Sequence, residues 1–134
     1  MPMYVDTSAL LKRYLDEPDS DAAESYLLAD TAWFSGRHTF VEARRNLARA
    51  VADDELVRLR DAFESDWRRM SIIELDEVTC RLAADIGEHT GLRSLDSLHL
   101  GAATRLGAEV VSFLTYDIRQ AQAARALGFT VLGV

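Results

Sequence analysis

Apolar positions follow two alternating rhythms along this chain: short β-prone blocks, and longer stretches with an apolar residue every three or four positions. Met3-Tyr4-Val5 is the first block. It ends on Asp6, and Leu10, Leu11, Tyr14 and Leu15 then recur at helical spacing, which predicts strand, acid, helix. Asp16-Glu17-Pro18-Asp19-Ser20 breaks the pattern because Pro18 disfavours helical geometry at Glu17. Ser20 is placed to cap a second helix carrying Ala22, Ala23, Tyr26 and Leu27 on one face. Thr31 to Ser35 is a second strand ending near Gly36, with Trp33 expected in the core. A third helix starts at His38 or Thr39 and buries Phe40, Ala43, Leu47 and Val51. Asp53-Asp54 is expected to interrupt it before a fourth helix with Leu56, Leu59, Phe63 and Trp67, the two forming a hairpin.

The second half repeats the rhythm. Met70 to Leu75 is the third strand, and Asp76 caps a helix bearing Val78, Leu82 and Ile86 that stops at Gly91. Ser94 is expected to cap a helix with Leu95, Leu98, Ala102 and Leu106, ended by Gly107. Glu109 to Leu114 is the fourth strand, Ile118 to Leu127 the last helix, and Phe129 to Leu132 the final strand. Strands separated by helices throughout predict an α/β fold whose parallel sheet is covered on both faces. No repeat or linker interrupts the pattern, so residues 1–134 read as one domain.

Composition narrows the function. A content of 49% hydrophobic residues over 134 positions suits one domain with a real core. The net charge of -7 argues against a broadly cationic surface for duplex DNA. Lys12 is the only lysine among 15 Lys and Arg residues, so nearly every cation is a guanidinium suited to bidentate phosphate contacts. Cys80 is the lone cysteine, which excludes an internal disulfide and a cysteine metal site and is expected to be a buried structural thiol. No stretch is apolar enough to span a bilayer, and the N-terminus lacks a secretory pattern. A cytoplasmic chain without membrane contact is the expectation.

The candidate chemistry lies in the acids. Ligands of an open α/β sheet bind at the carboxyl ends of its strands, which is where Asp6 stands, although it also suits a helix cap. Asp117 follows the fourth strand in Leu114-Thr115-Tyr116-Asp117 and reaches the same edge if strands one and four are neighbours. Asp96 falls in the first turn of a helix, where the dipole favours an acid whatever its function. Glu42 lies within a helix, one turn from Arg45 and Asn46. Brought together, such acids would repel one another and raise each other's pKa unless a hard divalent cation joined them, the arrangement used to cut phosphodiesters. Ser8 and Thr115 are hydroxyls suited to aiming two of these acids. Asp16, Asp19, Asp53, Asp54, Glu55, Asp76 and Glu77 fall at breaks and caps. His99, one turn after Asp96, is expected as a packed, hydrogen-bonded histidine rather than a ligand, while His38 and His89 show no partner pattern. Arg44, Arg45, Arg49 and Arg93 are candidates for phosphate contacts or solvated helix faces.

Val5-Asp6-Thr7-Ser8-Ala9, Val41-Glu42, Leu95-Asp96-Ser97-Leu98-His99-Leu100 and Phe113-Leu114-Thr115-Tyr116-Asp117 resemble the four signature segments of PIN-domain ribonucleases. Their order, spacing and the chain length most resemble the VapC toxins of toxin–antitoxin pairs, from Met3 to Val134. The resemblance implies a three-layer domain with strand order 3-2-1-4-5 and endonucleolytic cleavage of RNA with Mg²⁺, or Mn²⁺ as a substitute. Asp6, Glu42, Asp96 and Asp117 would carry over as the metal-binding acids, with Ser8 and Thr115 in support. A homodimer and a VapB-like antitoxin whose tail fills the groove are further implications. Arg37-His38 departs from the small or apolar residues more usual before the Glu42 helix. Two alternatives are weighed: a receiver-type phosphorylation domain, which would need a lysine near its last strand, and a PIN fold serving as a catalytically inactive binding or regulatory module.

Overall fold

In the computed structural model, which describes residues 1–134, the strands are β1 (Met3–Val5), β2 (Trp33–Gly36), β3 (Ser71–Ile73), β4 (Ser112–Thr115) and β5 (Val131–Gly133). Between them run α1 (Thr7–Leu11), α2 (Ser20–Ala29), α3 (His38–Ala50), α4 (Asp53–Trp67), α5 (Glu77–Thr90), α6 (Ser94–Thr104) and α7 (Ile118–Ala126). The sheet is five-stranded, in the order β3-β2-β1-β4-β5, and every pairing is parallel. β1 is therefore the central strand, with Tyr4 opposite Phe34 on one side and Phe113 on the other.

Alternation along the strands divides the core in two. Met3, Val5 and Leu114 face one layer, where Leu10, Leu27, Leu47, Leu59 and Phe63 of α1 to α4 cover them. Tyr4 and Phe113 face the other, against Ile86, Leu100 and Ala124 of α5, α6 and α7. Burial of each large side chain stabilises by about 1.5–3 kcal/mol, so even three-residue strands are held firmly. Asp66, buried in the first layer, accepts from Arg13 Nε at 2.8 Å, the Tyr14 hydroxyl at 2.6 Å and Arg69 Nη2 at 2.8 Å, which ties the end of α4 to the turn after α1.

The sheet order and the succession of elements agree with expectation, but several local details do not. Glu109 and Val110 lie in a turn in which the amides of Val110 and Val111 bond the Gly107 carbonyl, so β-prone composition there yields to turn chemistry. Ser20 does not cap α2. Its hydroxyl instead donates to the Leu15 carbonyl and accepts from the Glu17 amide, and Asp19 holds the cap position without a side-chain bond. Ser94 is the first residue of α6, and Arg93 precedes it at the cap. The break between α3 and α4 is extended Val51-Ala52, while Asp53 and Asp54 fall in the first turn of α4, where the helix dipole favours acids. Ala22, Tyr26, Val78 and Leu95 are exposed, because α2, α5 and α6 turn Ala23 and Leu27, Thr79 and Ala83, and Ser97 and Leu100 inward. Trp33 is half-buried, with its ring nitrogen bonded to the carbonyls of Leu27 and Asp30. Cys80 is exposed, contrary to expectation, since it sits beside the inward Thr79 on the outer side of α5.

Small residues let α5 and α6 approach closely. A Cβ on Gly101 would stand 2.9 Å from the Ala83 amide nitrogen and 2.9 Å from the Thr79 carbonyl oxygen, neither of which can swing aside. Helix propensity alone favours Gly101→Ala by about 1 kcal/mol. We expect the reverse sign, a net loss of about 1–3 kcal/mol from overpacking, read from the urea unfolding midpoint; a stabilised variant would show that the two helices can separate freely.

Candidate active site

The parallel register of β1 and β4 sets Val5 opposite Leu114, so Asp6 emerges beside Thr115 and takes the Leu114 carbonyl on its own amide at 3.2 Å. Asp6 is 3% exposed. Its Oδ2 accepts from the Thr115 hydroxyl at 2.5 Å, and its Oδ1 accepts from the Ser8 hydroxyl at 2.7 Å and the Ala9 amide at 3.0 Å. Asp6 thus caps α1 and points into the site at once, and the two readings of it are compatible. Both hydroxyls also work backwards: Thr115 Oγ1 accepts the Asp117 amide at 3.1 Å, and Ser8 Oγ accepts the Tyr116 amide at 3.0 Å. The loop leaving β4 is thereby tied to the acid at the end of β1.

Glu42 reaches the same place from α3. Its Oε1 accepts from the Thr7 hydroxyl at 2.8 Å and lies 2.9 Å from His99 Nε2 on α6. The protonation pattern of that histidine follows from its other side. The Tyr4 hydroxyl accepts the Gly36 amide at 3.0 Å and stands 2.9 Å from His99 Nδ1, so its own proton goes to Nδ1. Nε2 then carries the ring proton and donates it to Glu42. A continuous chain of hydrogen bonds runs from the backbone of β2 through the central strand and α6 to the carboxylate.

Asp6, Glu42, Asp96 and Asp117 all line one open cavity of about 390 Å³, together with Thr7, Ser8, Asn46 and His99. Asp117 caps α7 through one oxygen, Oδ1, which accepts the Gln120 amide at 2.9 Å. Asp96 touches only Arg93, at 3.8 Å, longer than a hydrogen bond. Burial pushes the Asp6 carboxyl above its usual range despite its hydroxyl partners. Burial, and then the nearby Asp117, push Asp96 up as well. For Glu42 burial acts upward too, but the bonds from His99 and Thr7 outweigh it and hold the carboxyl below its ordinary value. The donor set fits a hard divalent cation: all-oxygen, multiply negative, with the second oxygens of Glu42 and Asp117 and both oxygens of Asp96 free of hydrogen bonds. Charge on such an ion would relieve the strain that raises Asp6 and Asp96.

The arginines are not equivalent. Arg44 pairs with Glu64 at 3.3 Å and stacks over Phe40, Arg45 is exposed, and Arg93 extends into solvent beside Asp96. Sequence reasoning placed His99 as packed and hydrogen-bonded, which it is, but missed that it holds Glu42. It also missed Thr7, Tyr4 and His38. The available signals were spacing alone: His99 follows Asp96 by three positions, and His38 precedes Glu42 by four, each one helical turn. His38 is buried, and burial followed by the neighbouring His99 ring push it down to about 4.

A family model described as the PIN domain matches residues 3–126. The chain is 34% identical to the ribonuclease VapC47 of Mycobacterium tuberculosis over 131 residues, which is 95% of this chain and 93% of that protein. Among solved structures it resembles FitAcB of Neisseria gonorrhoeae, with a TM-score of 0.77 at 18% identity, covering 98% of this chain and 96% of the other. It also resembles a toxin–antitoxin complex of Klebsiella pneumoniae, with a TM-score of 0.73 at 12% identity and 98% coverage of each chain.

Three measurements test this geometry. Tyr4→Phe should cost about 1–3 kcal/mol in urea unfolding, because the Gly36 amide and His99 Nδ1 both lose a buried partner. Nitrogen NMR should find His99 protonated at Nε2 in the native chain; a proton fixed on Nδ1 would break the chain of donors just described. For Asp96 the sign follows from its raised folded value: its contribution is intact below the ordinary carboxylate range and is lost as pH rises through that raised value. With chelator present, Asp96→Asn should therefore gain stability relative to the native chain as pH rises through that window. A difference that stays flat with pH would contradict the assignment.

Proposed function

The chain belongs to the PIN-domain family and within it to the VapC ribonucleases, and from that footing we propose that it is a metal-dependent endoribonuclease, the toxin of a toxin–antitoxin pair. The observation that carries this reading is the convergence on one cavity of four carboxylates from β1, α3, α6 and the β4–α7 junction. Acids that far apart in sequence gain nothing structurally by meeting, since each raises the cost of ionising the next. A site for a cation explains their company.

In this reading Asp6, Glu42, Asp96 and Asp117 hold Mg²⁺, or Mn²⁺ in its place. The bound ion supplies Lewis-acid polarisation of the phosphodiester and a water of lowered pKa for in-line attack. The chain's own residues prepare the ground. Thr115 and Ser8 fix both oxygens of Asp6, so that the carboxylate needs no reorganisation when the substrate arrives. Thr7 and His99 fix Glu42 through one oxygen and leave the other free. Asp117 and Asp96 complete the ring from the facing helices. Arg45 and Arg93 are the exposed cations available to the RNA backbone, whereas Arg44 must first release Glu64. With a net charge of -7 the protein selects RNA by shape and a few guanidinium contacts rather than by general attraction.

Residues 1–134 function as one PIN domain, and the chain acts as a homodimer held in check by a VapB-like antitoxin that covers the groove. No helix is long and apolar enough to cross a membrane, in keeping with an enzyme of the cytoplasm.

Purified protein incubated with total RNA should cleave it with Mg²⁺ and not with chelator. Asp6→Asn and Asp96→Asn should each lower cleavage at least about 100-fold while the fold is kept, because shape is preserved and a ligand charge is lost. Thr115→Val should cost about 10–100-fold by loosening Asp6. RNA profiles identical with metal, with chelator and with Asp6→Asn would sink the enzyme and leave a binding module in its place.

A further inference from the structure

Beside the acidic cavity lies a cluster whose chemistry is different. His38 and Glu42 stand one turn apart on α3, and His99 meets them from α6. His38 Nε2 is 3.8 Å and His99 Nε2 2.9 Å from the same oxygen, Glu42 Oε1, and one ligand atom from each of the three residues lies within 4.8 Å of the other two. The two imidazole rings are 4.1 Å apart at their centroids.

His38 is the anomaly. It is 7% exposed, and neither ring nitrogen reaches a partner in good hydrogen-bond geometry, the Leu95 backbone being a nearby but poorly aligned polar neighbour. A neutral imidazole keeps one N–H and one lone pair, and leaving either buried and unanswered carries a real cost. The ring is accommodated by a residue with no side chain. A Cβ on Gly36 would stand 2.7 Å from His38 Cε1 and 2.7 Å from its Nδ1. The Nδ1 edge therefore lies against Gly36, and the Nε2 edge faces Glu42. This is a histidine folded back into the protein and aimed, by its unpartnered nitrogen, at a carboxylate and a second histidine.

We propose that His38, Glu42 and His99 form a second metal site, selective for a borderline divalent ion of which Zn²⁺ is the representative, distinct in donors from the all-oxygen cavity next to it. Two imidazoles and one carboxylate are a donor set that such ions take and Mg²⁺ does not. Ligands bonded at about 2.0–2.2 Å stand roughly 3–3.5 Å apart, and the present spacings bracket that range. Access exists, because Glu42 and His99 also line the open cavity. The outer support is built as well: when Nε2 binds metal, the Tyr4 hydroxyl oxygen can accept a hydrogen bond from His99 Nδ1–H by turning its own proton to the adjacent Ser35 hydroxyl, while the Gly36 amide holds that oxygen in place. Proton balance is simple. The ring proton of His99 passes from Nε2 to Nδ1, His38 binds through Nε2 with its proton on Nδ1, and none is released. Because Glu42 belongs to both donor sets, occupation of the histidine site draws on an acid that the neighbouring cavity also uses.

The test is Zn²⁺ binding to the purified full chain, measured by competition with a chromophoric chelator, alongside Mn²⁺ binding by electron paramagnetic resonance. His38→Phe, which keeps the ring volume and removes the lone pair, should weaken Zn²⁺ at least tenfold and change Mn²⁺ less than twofold. Asp117→Asn should do the opposite. X-ray absorption at the zinc edge of the native chain should show two imidazole nitrogens, and this holds the proposal to account even if a variant fails to fold. Equal Zn²⁺ affinity in the native chain and His38→Phe, or a shell of oxygen alone, overturns it. The readout is independent of cleavage: a chain that binds Zn²⁺ through His38 and cuts no RNA keeps this site and loses the nuclease, and the converse result loses only this site.

Discussion

A carboxylate buried at the end of the central strand is the constraint that the rest of the molecule accommodates. Asp6 is 3% exposed, and its ionised form has lost most of its water. Three donors replace that water: Thr115 comes through the parallel register of β1 with β4, and Ser8 and Ala9 come from the first turn of α1. The register cannot slip by one residue without removing Thr115 from Asp6 and, because strand side chains alternate, exchanging Tyr4 and Val5 between the two core layers. The position of the acid and the packing of the sheet are therefore the same fact.

The four acids divide into two kinds. Asp6 and Glu42 are held by hydroxyls and an imidazole, which fix their direction before any partner arrives. Asp96 and Asp117 are anchored by helix position and a single backbone contact, and keep oxygens to spare. A site that must both grip an ion and exchange ligands around it benefits from this asymmetry, since rigid acids set the location and less committed ones adjust. The cost is visible in Asp96, whose carboxyl is raised by burial and by Asp117, a strain that only a positive charge removes.

The sequence made the succession of elements legible because the first four strands each end in or are followed by a local signal: Asp6 before α1, Gly36 before α3, Asp76 before α5 and Asp117 before α7. The order of strands in the sheet came from the resemblance alone. The sequence placed Asp6 and Asp117 at the same edge of a parallel sheet, but their meeting depended on β1 and β4 being neighbours, which the fold supplies. Glu42 was not legible from its surroundings, since an acid within a helix is ordinarily a surface residue; only the resemblance singled it out. Helix faces were misread where two apolar registers compete. On α5 the spacing of Val78 and Leu82 is as good as that of Thr79 and Ala83, and the smaller pair faces inward because α6 approaches through Gly101. Cys80 went to the surface for the same reason. The bond from Tyr4 to His99 spans 95 positions and that from His99 to Glu42 spans 57, so no local pattern can announce them.

His38 shows where such reasoning must yield to geometry. From the sequence it is a helix-start histidine, one residue beyond an arginine that pairs with Glu74 in solvent. In the fold it is turned inward by the missing Cβ of Gly36, the residue whose amide also fixes the Tyr4 hydroxyl. One glycine thus serves two arms of the same cluster: it admits the His38 ring and orients the donor that sets the proton on His99. Both arms end on Glu42 Oε1, the oxygen that Thr7 also holds. Replacing Gly36 by alanine would disturb both arms together, whereas Tyr4→Phe reaches only one. The coupling of the two histidines to one acid therefore rests on the backbone of β2 as much as on any side chain.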